Sequence, residues 1–242
     1  MSKNRFQKLT GFLFIAGAIL INIPYTLLIM NFEYPDILRK STGYILTQFY
    51  MGGNKLIFTW LVFAWVGLPL LFAIIMLQKV LEREDAPYLG SATVVGIIGA
   101  MTQMLGLLRW SFVVPILAQI YVNPDSSNAT KEAVVVSFQI IHQYGGVVLG
   151  EHIGQTFSII WMILICLAIL KASLFKSWLG WFGIVAAVIY LLAQTELLNT
   201  VMPTLPVVSE AGLIGSLLWL GWMIALGVFL VRAKVVSAER AV

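Results

Sequence analysis

Five ionisable side chains stand in or beside stretches that are otherwise apolar: Arg109, Glu151, His152 and Glu196 inside long apolar runs, and His142 just before one of them. A charge at membrane depth costs on the order of 3 kcal/mol by insertion scales, so such groups usually face a bundle interior and find partners. The guanidinium of Arg109 can grip a carboxylate or phosphate through a bidentate fork, or tie Glu151 or Glu196 into an ion pair that joins three helices. Two carboxylates against one cation leave room for a proton, a metal or a cationic group. His152 and His142 add imidazoles able to pass protons near neutral pH, and Gln155 follows Glu151 at a helical spacing of four. Trp110, beside Arg109, offers an indole face to a cation, although an interfacial aromatic belt also accounts for it. Groups placed shallowly enough to snorkel to water would form no site at all.

Other chemistries have less support. Glu151 and His152 are adjacent and diverge by about 100° on a regular helix, while His142 and His152 lie about 15 Å apart along one. No H-E-x-x-H, H-x-x-E-H or cysteine set accompanies them, so His142, His152 and Glu151 are weak metal candidates. Haem would need facing axial ligands from only two histidines. A retinal Schiff base would need a lysine within a span, and there is none. No G-x-S-x-G or serine–histidine–acid arrangement is present. The cofactor is left open.

The elements that must position these residues are membrane spans. Apolar stretches long enough to cross about 30 Å of hydrocarbon occur at roughly 9–31, 55–80, 88–121, 148–171, 178–198 and 210–233. Pro69 should bend the second; the third, about 51 Å long as one helix, is either tilted and kinked at Pro115 or has its last turns standing proud of the bilayer. The first, although preceded by Lys3, Arg5 and Lys8, is too long for a signal-peptide core and lacks an A-x-A site, so it reads as a retained span. Two further stretches, 33–50 and 129–144, are too polar to span and read as interfacial helices with one apolar side, which in the second carries Val134, Phe138, Ile141 and Val135. Gly145 and Gly146 then offer a break before the fourth span. Gly96, Gly99 and Gly106 in the third span suit close helix packing.

Counting lysine and arginine gives ten on the side of the N-terminus, four on the other side and Arg109 within the membrane. That bias predicts six spans with both termini in the cytoplasm, the two interfacial helices then lying on the outer side. Counted from the inner helix ends at 1.5 Å per residue, Arg109 lies at about 33 Å, Glu151 at about 30 Å, His152 at about 28 Å and Glu196 at about 27 Å. The agreement predicts one polar cluster near the outer boundary of the hydrocarbon.

Composition sets the class. Apolar residues make up 60% and charged residues 11% of the chain, too few charges to cover a soluble domain, where about 25% is usual. The net charge of +4 comes from basic residues that punctuate apolar segments without forming a face, which argues against nucleic acid as a partner. The single cysteine, Cys166, permits no intrachain disulfide and reads as a packing residue. The fold class is therefore an all-α membrane bundle in a single transmembrane domain.

Three strings, LLRWSFVVPILAQIY (107–121), HQYGGVVLGEHIGQ (142–155) and WLGWFGIVAAVIYLL (178–192), resemble a family of prokaryotic multi-pass membrane proteins of unknown function. The resemblance implies a bacterial or archaeal plasma membrane protein and no particular chemistry. From the residues, the leading expectation is a protein that binds a small anionic or lipid-like ligand at Arg109, with Glu151 and Glu196 balancing the arginine, His152 and Gln155 hydrogen-bonding the ligand, and transport as an extension. A membrane-embedded enzyme acting on a lipid or periplasmic substrate, and a non-catalytic scaffold in which the cluster is a structural ion pair, stay open. Membrane lipid is the expected surrounding partner.

Overall fold

A computed structural model describes residues 2–82, 86–172 and 174–233. All regular structure among the described residues is helical, without a strand. Arg83, Lys234 and Arg240, three of the residues in the positive-charge count, lie outside the described residues.

Among the described residues, six helical runs are long and apolar enough to cross a membrane. The first joins α1 (Lys3–Leu20) to α2 (Asn22–Phe32). The second begins after a short 3-10 turn, Asp36–Arg39, with α3 (Thr42–Trp65), and continues as α4 (Leu68–Leu81). The third joins α5 (Leu89–Phe112) to α6 (Val114–Val122). The fourth runs from α7 (Asn128–Ile141) through a π-helix, His142–Ile153, into α8 (Gly154–Lys171). The fifth is α9 (Ser177–Leu192) with α10 (Gln194–Asn199), and the sixth is α11 (Ala211–Arg232). Large apolar side chains point outward along them, Met30 at 74%, Phe58 at 64% and Phe112 at 63% exposure, as a lipid-facing surface requires.

The sequence punctuates these runs through a few residues. Both expected proline bends occur, each as a break just ahead of the proline. Pro69 sits in the first turn of α4 and Pro115 in the first turn of α6, positions where no backbone N–H is needed. Gly53 adopts φ 54° and ψ −152°, a conformation open to glycine, and interrupts α3. The kink falls close to the expected start of the second span at residue 55. Ser41 caps α3 by accepting from Tyr44 N–H, and Ser127 caps α7 by accepting from Thr130 N–H. On α7, Val134 and Phe138 are buried and Val135 and Ile141 half-buried, matching the expected apolar side.

One expectation is corrected. Gly145 and Gly146 do not break the chain; the helix continues through them, widened to the i→i+5 pattern. Gly146 makes room for Arg109, and the pair does not end a helix.

By packing, the described residues divide into two compact units, one drawn from residues 1–18, 68–98 and 157–242, the other from 19–67 and 99–156. In the first unit, Phe14, Trp161 and Trp222 form an aromatic core, and Trp222 Nε1–H donates to Leu179 O at 3.0 Å between α11 and α9. Gly96 lies against Trp161, as its predicted packing role requires. The start of α1 is bound to the end of α11. Gly11 and Gly227 meet so closely that a Cβ on Gly11 would stand 2.5 Å from Gly227 O. Buried Gln7 donates through Nε2 to Leu230 O and Ala233 O, both at 2.9 Å. The start of α1 and the end of α11 therefore lie together.

Gln7 supplies partners to two carbonyls at a helix C-terminus that have none within the helix. Gln7→Ala is expected to lower stability by roughly 1–3 kcal/mol, read as an earlier unfolding midpoint in detergent. An unchanged midpoint would mean that solvent satisfies those carbonyls equally well.

The second unit packs α2 and α6 on α3, and α7 on α3 and α6. Its core includes Phe32, Phe49, Trp60, Trp110, Val114 and Phe138.

Candidate functional site

Arg109 lies in the last turn of α5 and is only 8% exposed. Small residues let it in. Gly106, one turn earlier, touches the π-helix so closely that a Cβ there would stand 2.5 Å from Gly150 Cα and 2.8 Å from Gly145 O. The arginine then lies over the glycine pair: a Cβ on Gly146 would come within 2.5 Å of Nη2 and 2.7 Å of Cζ, and one on Gly145 within 3.5 Å of Cδ. One donor of the guanidinium is used locally, Nη1–H donating to Gly106 O. The Cζ atom stands 5.3 Å from the centre of the Trp110 ring, in cation–π range. The Glu151 carboxylate and the Tyr34 phenol lie within electrostatic reach of the guanidinium.

Trp110 is the hub of an aromatic shell. It stacks on Trp60 with centroids 4.8 Å apart and planes 11° apart, and on Phe49 at 5.7 Å and 25°. Phe32, Phe138 and His142 meet it edge-on at 5.5, 6.1 and 6.0 Å. At 1% exposure Trp110 is no belt residue, so that alternative is set aside. His142 stacks on Phe138 at 5.4 Å and 15°. Arg109, in turn, is the charged group within electrostatic reach of His142.

Three polar atoms in this shell are buried with no hydrogen-bond partner among the described residues: Arg109 Nε, His142 Nδ1 and Trp60 Nε1. In folded proteins such atoms are few, and each calls for a reason such as a water, an ion or a ligand.

The structure thus gathers Arg109, Trp110 and His142 with Glu151 in electrostatic range; His152 and Gln155 belong to the same unit, and Glu196 to the other. His152 is exposed, whereas its neighbour Glu151 is half-buried, the divergence expected of adjacent helical residues. Gln155 is half-buried in the first turn of α8. Glu196 lies half-buried on α10, in the other unit. No three His, Cys, Asp or Glu side chains among the described residues are grouped to hold a metal, so His142, His152 and Glu151 do not form such a set. Sequence reasoning missed Trp60, Phe49 and Tyr34, and it missed Gln103, whose Nε2–H donates to Gly154 O at 3.1 Å. Trp60 and Phe49 fall in runs where an aromatic residue signals only a lipid-facing or belt position.

The six apolar helices and the buried charge within them define a multi-pass α-helical membrane protein. Over residues 9–227 the chain matches the family described as a domain of unknown function, DUF4386, and it belongs to that family. No curated protein and no solved structure matches it.

Proposed function

We propose that this chain is a prokaryotic plasma membrane protein, a single transmembrane domain with both termini in the cytoplasm, that binds a small anionic or lipid-like ligand at Arg109. The ten-to-four distribution of basic residues supports the orientation. The stretch 42–52, set off by Gly53, and the capped amphipathic α7 suit two interfacial segments on the outer side. The ligand site rests on one observation: a guanidinium almost wholly removed from solvent, held in a glycine cradle and against an indole face, with its Nε–H unpaired. An arginine kept only as a brace is worth burying when its donors are satisfied; one with a donor in reserve suits an incoming oxyanion. Glu151 moderates the charge while the site is unliganded, and Gln155 belongs to the same helical run.

Native mass spectrometry of gently purified protein tests this. The wild type is expected to carry an adduct that Arg109→Gln loses, with helical content and monodispersity unchanged. A charge-assisted contact of this kind is worth roughly 1.5–3 kcal/mol, or about tenfold or more in affinity. Identical spectra for both proteins would defeat the reading.

A further inference from the structure

From Leu197 to Ser209, across the connection between the fifth and sixth spans, the chain carries no ionisable side chain. By contrast, the chain after the first span carries Glu33, Asp36, Arg39 and Lys40, and that after the third carries Asp125. The apolar residues of this connection are not tucked against the protein. Val201 is 65% exposed, and Met202, Pro203, Pro206, Val207 and Val208 are exposed with it. An apolar patch left open in this way marks a surface that meets something other than water.

The flanking helices fix the level at which this loop lies. Trp178 and Trp181, both exposed near the start of α9, mark one membrane interface as an aromatic belt. Phe229 packs on Trp178 with ring centres 5.9 Å apart, so the end of α11 lies at the same level. Asn199 is 21 residues beyond Trp178, about 32 Å along a helix. Ala211 is 18 residues before Phe229, about 27 Å. Against about 30 Å of hydrocarbon, both ends of the loop come out at the opposite boundary, and neither helix carries it out into water.

The loop is also prepared to leave water. Backbone groups in contact with acyl chains need partners inside the protein. Asn199 Nδ2–H donates to Pro203 O at 3.2 Å and to Leu205 O at 3.0 Å, and Thr195 Oγ1 accepts from Val208 N–H at 3.2 Å. Met202 N–H donates to Leu198 O and Leu205 N–H to Met202 O. Pro203 and Pro206 have no N–H to satisfy.

We propose that residues 201–208 form an apolar cap that enters the headgroup–acyl boundary of the bilayer, with lipid as its partner. The turns that lead into and out of the loop are lipid-facing too: Leu191 and Leu192 on α9, and Leu213, Ile214 and Leu217 on α11, are exposed. The cap thus extends the apolar surface of the spans into the interface, where such segments sit about 5–10 Å deep. It stands apart from the anion-binding reading, since residues 201–208 belong to the unit that does not contain Arg109.

Spin labelling of the full-length protein in nanodiscs of phosphatidylethanolamine and phosphatidylglycerol tests the placement. Val201→Cys and Val207→Cys are labelled one at a time in a Cys166→Ala background. Collisions with oxygen, which concentrates among acyl chains, are compared with collisions with a nickel chelate, which stays in water. Leu213→Cys is the lipid reference and Asp125→Cys the water reference, and all four native side chains are exposed, so no label replaces a buried contact. Should Cys166→Ala not fold, the labels are placed with the fully buried Cys166 retained and the labelled wild type as the blank. At both loop positions the oxygen-to-nickel ratio is expected to shift away from that of Asp125→Cys and toward that of Leu213→Cys. A ratio matching Asp125→Cys would place the loop in water and overturn the proposal. Few collisions with either reagent would show that protein, such as a second copy of the chain, covers the patch, and would overturn it equally.

Discussion

Gly106→Ala is expected to be the most damaging single-methyl addition in the unit that holds Arg109, costing roughly 2–3 kcal/mol by overpacking. The reason is what the methyl would meet. A Cβ at 106 would stand 2.5 Å from Gly150 Cα, 2.8 Å from Gly145 O and 3.0 Å from Gly150 N, all of them helical backbone that cannot rotate aside. The helices would have to separate, and packing at close approach is a main source of association between helices in lipid. Gly146→Ala offers the contrast. Its Cβ would meet the guanidinium of Arg109, the far end of a side chain that can move, so stability should fall less while anion binding is lost. Gly145→Ala, whose Cβ would meet Arg109 Cδ at an ordinary 3.5 Å, is the control. Unfolding midpoints in detergent, measured beside ligand retention in native mass spectra, should rank 106 worst for folding and 146 worst for binding. A midpoint unchanged in Gly106→Ala would mean that α5 and the π-helix do not pack as described.

These contrasts show which parts of the site local sequence can express. The spans were legible because each is a long apolar run, and their breaks because Pro69 and Pro115 constrain the backbone whatever surrounds them. Counting along the helices gave Arg109, Glu151, His152 and Glu196 one expected depth without choosing a partner for the arginine, and of these it is Glu151 that acts on it electrostatically. His152 lies at the same level and yet is exposed, because depth says nothing about azimuth. The π-helix had no local signal. Glycine pairs usually mark a break, and here the helix runs through Gly145 and Gly146, with the Arg109 guanidinium lying where a side chain on Gly146 would stand. Trp60 was hidden for a related reason. An indole in an apolar span looks the same in sequence whether it faces lipid or stacks in a shell with its N–H unpartnered. What the sequence could not express was in each case a property of two elements meeting.

Arg109→Met, an apolar replacement of similar length, is expected to lower stability by about 2 kcal/mol, less than the cost of stripping the partner from a fully buried charge because Glu151 is only half-buried. The loss comes from the carboxylate that the guanidinium no longer balances. Glu151→Gln removes that charge, so Arg109→Met with Glu151→Gln should recover most of the stability, giving a coupling of about 2 kcal/mol in the double-mutant cycle. Ligand retention should not recover. Buried ion pairs are often replaced by apolar residues at no loss of stability, so a double variant that is stable and inert would show that the membrane interior keeps Arg109 for what it binds. Were the double variant less stable than either single one, with binding intact wherever the fold survives, the guanidinium would be a brace between α5 and the π-helix, and the unpaired Nε–H an incidental cost of that brace.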